Sequence, residues 1–210
     1  MKLLISRILL AGYASADWQP FFWGTGCPAV TGSSNFELDS YLGTWYNIAN
    51  SPFFWMSNKN RCVTAEYEMN EDGSIKVTNG DISRYTDKRV SMEGQAVSTP
   101  ENGVLSVAFG PIKAKADNGN YFMLDTDNDN FSFVWSCTDY CTGSWCIGHK
   151  PVYWILNKKA FYTEEEVNAE IDEAFEVLGG FGYDQKSMEK LRSKMHVAEH
   201  EDCDYPEIEE

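Results

Sequence analysis

The sequence predicts an all-β fold with one C-terminal helix, an eight-stranded antiparallel up-and-down β-barrel, and three observations carry that prediction. Eight short runs are strand-like, clusters of Gly, Pro, Asn and Asp separate them, and one well-capped amphipathic helix follows the last run. The runs are Gly43 to Asn50, Cys62 to Met69, Ser74 to Ile82, Val90 to Val97, Val104 to Phe109, Tyr121 to Asp125, Phe131 to Cys137 and Val152 to Asn157. Eight short strands joined by tight turns fit a barrel or a sandwich and exclude a parallel sheet. A single helix after eight strands matches an immunoglobulin-type sandwich poorly, so the barrel is favoured.

Each element has its own local reason. The first run opens with Gly43-Thr44-Trp45-Tyr46, and a Trp on the first strand of a small closed barrel serves as a floor plug. Glu71-Asp72-Gly73, Pro100-Glu101-Asn102-Gly103, Asp117-Asn118-Gly119 and Asp127-Asn128-Asp129-Asn130 supply residues that tolerate tight-turn backbone angles. The helix begins at a capping box, Thr163 with Glu166, and Glu164 and Glu165 favour the positive end of its dipole. Val167, Ile171, Ala174, Phe175 and Leu178 then form one stripe that must pack on the barrel, before Gly179-Gly180 ends the element.

Composition narrows the function. The chain has 210 residues, 43% apolar and 14% aromatic, enough for one well-buried domain. Its formal charge of −15 argues against binding nucleic acid or a strongly anionic surface. Residues 1–16 read as a signal peptide: Leu3, Leu4, Ile5, Ile8, Leu9 and Leu10 form an apolar run and Ala14-Ser15-Ala16 a small-residue cleavage site, with Arg7 as an interruption. Residues 17–210 are expected to form one secreted, extracellular domain with an acidic tail from Glu199. No later stretch is long and apolar enough for a membrane span.

Six cysteines in an exported chain read as three disulfides. His196, His200 and Cys203 have ligand-like spacing, but a metal there would take a cysteine from a disulfide. Asp125, Asp127 and Asp129 alternate like a calcium loop, yet Asn130 replaces the sharp-turn Gly and Ser136 the bidentate Glu, so no metal is expected. His149, His196 and His200 fall in a late loop and the tail, and no catalytic residue is assigned.

At this point the chain resembles the lipocalins, in particular the apolipoprotein D, insecticyanin, bilin-binding protein and crustacyanin branch. The landmarks are Gly26-Cys27-Pro28, Asn35-Phe36, Tyr41-Leu42-Gly43-Thr44-Trp45-Tyr46-Asn47-Ile48, Arg61-Cys62, Gly94-Gln95-Ala96, Thr126-Asp127, Trp135-Ser136-Cys137 and Trp154-Ile155-Leu156. The resemblance implies disulfides Cys27–Cys137 and Cys62–Cys203, which leaves Cys141 and Cys146 either to close a small loop or to stay unpaired. It also implies a floor of Gly43 and Trp45 under a cation. Lys158 stands where the family usually has Arg, and Asn128 where it has Tyr.

Alternation sends residues i and i+2 to the same face. On the aligned strands this nominates Tyr67, Val77, Asn79, Asp81, Leu105, Val107, Phe109, Tyr121, Met123, Val134, Val152 and Trp154 as an inward lining, and the resemblance implies ligand contacts at Tyr67, Asn79, Tyr121, Val134 and Trp154. Those side chains either fill the barrel or leave room for a modest ligand. Phe53, Phe54 and Trp55 form an apolar mouth loop with three open readings: a lid, a docking patch for a partner or membrane surface, or an internally packed loop. Trp18, Phe21, Phe22 and Trp23 are equally open, including a role in a homo- or hetero-oligomer. Asn130-Phe131-Ser132 is a glycosylation acceptor sequence.

The expected function is a secreted carrier of a small hydrophobic molecule, whether a carotenoid or bilin pigment, a retinoid, a steroid or a fatty acid. The ligand is held non-covalently and no cofactor is obligatory. A partner-binding or pigment-assembly subunit is the alternative, and an enzyme built on the same fold is the third reading.

Overall fold

The computed structural model describes residues 20–52, 59–160 and 162–205. Its strands are β1 (Phe22–Trp23), β2 (Gly43–Asn50), β3 (Asn60–Met69), β4 (Ile75–Ser83), β5 (Arg89–Ser98), β6 (Val104–Phe109), β7 (Tyr121–Thr126), β8 (Phe131–Thr142), β9 (Trp145–Asn157) and β10 (His196–Val197). The helices are α1 (Leu38–Tyr41), α2 (Glu164–Gly179) and α3 (Gln185–Arg192). From β2 to β9 each strand pairs antiparallel with the next, and β9 returns to β2 through Tyr46↔Asn157 and Asn50↔Trp154. The result is a closed eight-stranded barrel. Its meander puts the β2–β3, β4–β5, β6–β7 and β8–β9 connections at one end, the mouth, and the other connections at the floor.

Two apolar layers hold this architecture. Outside the barrel, Tyr46 and Ile48 of β2, Phe133 and Trp135 of β8 and Tyr153 and Ile155 of β9 pack against Ile171, Ala174, Phe175 and Leu178 of α2. The capping box forms as the sequence requires: Glu166 N–H donates to Thr163 Oγ1 at 3.2 Å and Thr163 N–H to Glu166 Oε2 at 2.7 Å. Inside, Phe36, Tyr41, Trp45, Ile75, Ala96, Leu105, Met123 and Val134 fill the floor half.

Besides the four-residue α1, which the sequence expectation lacked, the structure differs from it in four places. Helix α3 is additional: only Met188 and Leu191 are apolar in it, too few to show a helical period. It is fixed by an Asp184 cap on Ser187 N–H at 2.7 Å, and the Tyr153 hydroxyl donates to the Leu191 carbonyl at 2.7 Å. Strands β8 and β9 run further than expected, from Phe131↔Asn157 up to Thr142↔Trp145, because they leave the barrel wall as a two-stranded ribbon whose exposed faces have no inside-outside pattern. The two-residue edge strands β1 and β10 lengthen the sheet beyond β9 and β2, and two residues carry no periodicity. Finally, Glu199 to Tyr205 is not a free acidic tail. Cys62 N–H donates to the Glu199 carbonyl at 2.8 Å, His200 is buried, and Cys203 is disulfide-bonded to Cys62.

All six cysteines are paired, as Cys27–Cys137, Cys62–Cys203 and Cys141–Cys146. The first ties the N-terminal segment to the β8–β9 ribbon and the second ties the C-terminal segment to β3. The third staples the ribbon across its turn. Residues 1–16, Trp18, and Phe53, Phe54 and Trp55 lie outside the described residues.

Candidate functional site

The floor of the barrel is built around Trp45. Its indole N–H donates to the Tyr41 carbonyl at 2.7 Å, its side chain is fully buried, and the Lys158 ammonium sits 4.5 Å from the centre of its rings. Lys158 also donates to the Leu42 carbonyl. A flexible lysine thus supplies both a cation over the indole face and one charge-assisted hydrogen bond, where a guanidinium would supply a flat fork. Burial pulls the Lys158 pKa down from its ordinary value. Gly43 has φ +94°, and a Cβ there would stand 3.4 Å from the Lys158 nitrogen. A side chain at this position would be strained by its backbone and would crowd the cation.

Above the floor the barrel opens into a cavity of about 420 Å³. Eight of the twelve nominated residues line it: Tyr67, Val77, Asn79, Val107, Phe109, Tyr121, Val152 and Trp154. Leu105, Met123 and Val134 do not. They point inward but pack into the filled half with Trp45, because alternation gives the face of a residue and not its height along the barrel. Asp81 is also off the cavity wall. It lies half-buried towards the mouth end of β4, where burial raises its carboxyl pKa and a hydrogen bond from the Asn60 side chain opposes the rise.

The wall contains further residues. Asn47 and Leu156 share a face with Trp45 and Trp154, so the same alternation rule reaches them. Met92 comes from β5, whose inward face follows the same rule. Ser136 and Thr138 continue the face of Val134 up the lengthened β8. Val63 and Ala65 share the inward face of Tyr67, so alternation reaches them too, and Thr64 between them completes this stretch of the wall. The β3–β4 register shifts next to this stretch, between Arg61 and Thr64, beside Cys62 with φ +57°. Asn120 is a loop residue held in place by a two-way clasp, accepting from Val107 N–H at 2.8 Å and donating to the Val107 carbonyl at 2.9 Å.

Three tyrosines form the boundary between filled and open halves. The Tyr67 and Tyr121 hydroxyls are 2.7 Å apart and the Tyr41 and Tyr121 hydroxyls 3.2 Å. Burial raises the pKa of all three, most for Tyr41 and Tyr121, so they are neutral hydrogen-bonding groups across the physiological range. The rings of Tyr121 and Trp154 stack with centroids 6.0 Å apart. Among the described residues, the cavity wall includes no Asp, Glu, His, Cys, Lys or Arg. It is an apolar chamber with amide and hydroxyl groups at intervals, suited to burying an uncharged molecule and orienting it by a few hydrogen bonds.

The histidines and the acidic turn are engaged elsewhere. His149 is buried on β9, with Nδ1 at 2.9 Å from the Thr25 carbonyl and Nε2 at 3.0 Å from the Tyr183 hydroxyl. His200 Nε2–H donates to the Asn47 carbonyl at 2.9 Å, its other nitrogen meets the Tyr205 hydroxyl, and burial lowers its pKa. Asp127 Oδ1 accepts from the backbone N–H groups of Asp129, Asn130 and Phe131, which makes it the organiser of the β7–β8 turn. Asn130 itself is exposed there.

Comparison with known proteins agrees with this geometry. A model of the lipocalin-like domain matches residues 36–190. Apolipoprotein D of Cavia porcellus is 34% identical over 169 residues, 80% of this chain and 84% of that protein. Lazarillo protein of Schistocerca americana is 36% identical over 115 residues, 53% of this chain and 52% of that protein. Among solved structures, insecticyanin of the tobacco hornworm Manduca sexta aligns with a TM-score of 0.65 at 22% identity, covering 88% of this chain and 91% of that one. Lobster apocrustacyanin A1 aligns at 0.61 and 20% identity, covering 85% and 90%. With a barrel closed from β2 to β9, a Trp45 floor beneath an apolar chamber, and a family model matching most of its length, the chain belongs to the lipocalin-like domain family.

Proposed function

We propose that this protein is a secreted carrier that holds one small hydrophobic molecule in the open half of its barrel. The observation that carries the reading is the chamber of about 420 Å³ above the Tyr41–Tyr67–Tyr121 hydroxyl cluster, and membership of the family supports it. That volume lies towards the lower end of the roughly 300–1,000 Å³ range of small-molecule sites. It suits a retinoid, a steroid or part of a fatty-acid chain, whereas a full-length carotenoid would extend through the mouth. The uncharged wall favours a hydroxyl or keto group at the tyrosine end, and a fatty-acid carboxylate would stay in water at the mouth.

Asn79, Asn47, Tyr67 and Tyr121 are the proposed orienting groups, with Trp154 and Phe109 as apolar contacts. Asn130 is the proposed glycosylation site, and residues 1–16 the proposed signal. Three disulfides support an extracellular location. The proposed role is binding without turnover, a reading supported by an apolar wall carrying amide and hydroxyl groups.

The test is mass spectrometry of ligand extracted from the protein purified from its natural source, joined to an absorption spectrum and a titration of the empty protein with retinol, progesterone and oleate. One bound molecule per chain, with quenching of tryptophan fluorescence that saturates, is the expected result. An empty barrel that none of these probes enters would overturn the reading.

A further inference from the structure

The polar groups on the chamber wall differ in what they can offer a ligand. Its hydroxyls, those of Tyr67, Tyr121, Ser136 and Thr138 among them, rotate, so each can donate or accept. Asn79 carries both an amide N–H and a carbonyl oxygen, and Asn120 has engaged one of each with Val107. None of these groups separates a donor from an acceptor. Asn47 does, because neighbours in β2 and just beyond it set the direction of its amide.

That direction is set first at Ser51, which is fully buried and doubly pinned to β9. Its backbone N–H donates to the Tyr153 carbonyl at 2.9 Å, and its Oγ accepts from the Tyr153 N–H at 3.1 Å. The Ser51 carbonyl can only accept, and the Asn50 side chain lies 2.6 Å from it, so the atom presented there is Nδ2. This leaves Asn50 Oδ1 facing Asn47 at 2.8 Å, and Asn47 must answer with its own Nδ2. The remaining atom, Asn47 Oδ1, is thereby an acceptor of fixed direction. It is buried and has no hydrogen-bond partner among the described residues.

The backbone explains why two amides three residues apart can meet. On a regular strand they would face opposite sides, but the β2–β9 register shifts between Asn47 and Ala49. Asn47 therefore pairs with Leu156 and Asn50 with Trp154, and both partners face the chamber. Asn47 itself is the next inward position of β2 above Trp45, and His200 Nε2–H holds its backbone carbonyl at 2.9 Å. A buried carbonyl oxygen without a proton partner is unfavourable. A ligand hydroxyl or N–H relieves it, whereas an aldehyde or keto oxygen sets a second acceptor against the first.

We propose that Asn47 selects ligands carrying a hydrogen-bond donor, an alcohol or an N–H, over acceptor-only molecules of the same skeleton, and that Asn50 is the positioning residue behind that choice. This inference rests on the carrier reading. Its test compares retinol with retinal, which share a skeleton and differ by a hydroxyl against an aldehyde oxygen. Titration of tryptophan fluorescence in the parent should give retinol a Kd lower by roughly five- to tenfold, the range set by one net hydrogen bond. Asn47→Leu removes the acceptor and should bring the two Kd values within about twofold of each other. Asn50 is not part of the chamber wall, and Asn50→Ala frees the Asn47 amide to turn its N–H inward. That variant should move the ratio towards retinal by roughly threefold or more. A purely structural role for either residue would shift both Kd values together and leave their ratio alone. Equal Kd values in the parent, or a parent ratio that survives in both variants, overturn the proposal and leave the carrier reading standing. Uptake of neither retinoid by the parent overturns it too and, where progesterone and oleate also fail to bind, the carrier reading with it.

Discussion

The two halves of the barrel are made from the same eight strands with the same alternation, yet one is solid and the other holds a chamber. The difference is side-chain volume. The floor half places Trp45, Tyr41, Phe36, Leu105 and Met123 on the axis, where they meet across the barrel. The mouth half faces inward with Ala65, Asn79, Ser136 and Thr138, which leave the centre open. Eight strands enclose an interior that side chains of ordinary core size can just fill, so substituting small and polar residues in one half is sufficient to create a cavity without changing the backbone plan. Stability is expected to reside at the floor and binding at the mouth.

The largest effect should come from Trp45→Ala. Removing a fully buried indole together with its hydrogen bond to Tyr41 and the cation above it should cost about 3–5 kcal/mol in denaturant unfolding. Ser136→Trp is the complementary change. It fills the chamber from β8 and should abolish saturable retinol uptake while altering stability by less than about 1.5 kcal/mol. If Trp45→Ala left the fold intact, or Ser136→Trp left uptake intact, the division between halves would fail.

Two smaller changes probe the boundary. Tyr67→Phe with Tyr121→Phe removes two of the three linked hydroxyls, and should weaken binding of a keto or hydroxyl ligand several-fold, by about 0.5–1.5 kcal/mol, while sparing a hydrocarbon of the same size. Lys158→Met keeps an apolar stem over Trp45 and loses the charge and the bond to Leu42, with an expected cost of about 1–2 kcal/mol. Lys158→Arg should be close to neutral, because the lysine already makes both contacts.

The smallest effect is a pH dependence on the floor side. Glu170 accepts from the Asn157 side chain at 2.8 Å, and burial, helped by nearby Glu173, Asp127 and Glu166, raises its pKa to about 7. A carboxyl raised in the folded state favours folding while it is protonated, so its contribution is present below the ordinary value near 4.5 and is lost as pH rises through about 7. Glu170→Gln should therefore melt higher than the parent at pH 8 and no higher at pH 4. His200 works in the opposite sense: its lowered pKa contributes above the ordinary histidine range and is lost on acidification.

The sequence revealed one half of the barrel better than the other, for a physical reason. Gly43 to Asn50 and Val104 to Phe109 coincide with observed strands, and the Thr163–Glu166 cap starts α2, because turn chemistry, capping and alternation are local. The height of a residue along the barrel is not local. Leu105, Met123 and Val134 carried the right face and lie below the chamber. The ribbon above Cys137 was invisible for a related reason: Asp139, Tyr140 and Thr142 are all exposed and have no hydrophobic rhythm to read.

The mouth half, and only that half, is expected to receive a ligand. The direct measurement is a tryptophan-fluorescence titration of the parent and of Ser136→Trp with retinol, with stoichiometry read by native mass spectrometry. Saturation at one molecule per chain in the parent and none in the filled variant is the predicted result. Saturable uptake that survives filling of the chamber, or no uptake by the parent, would contradict it.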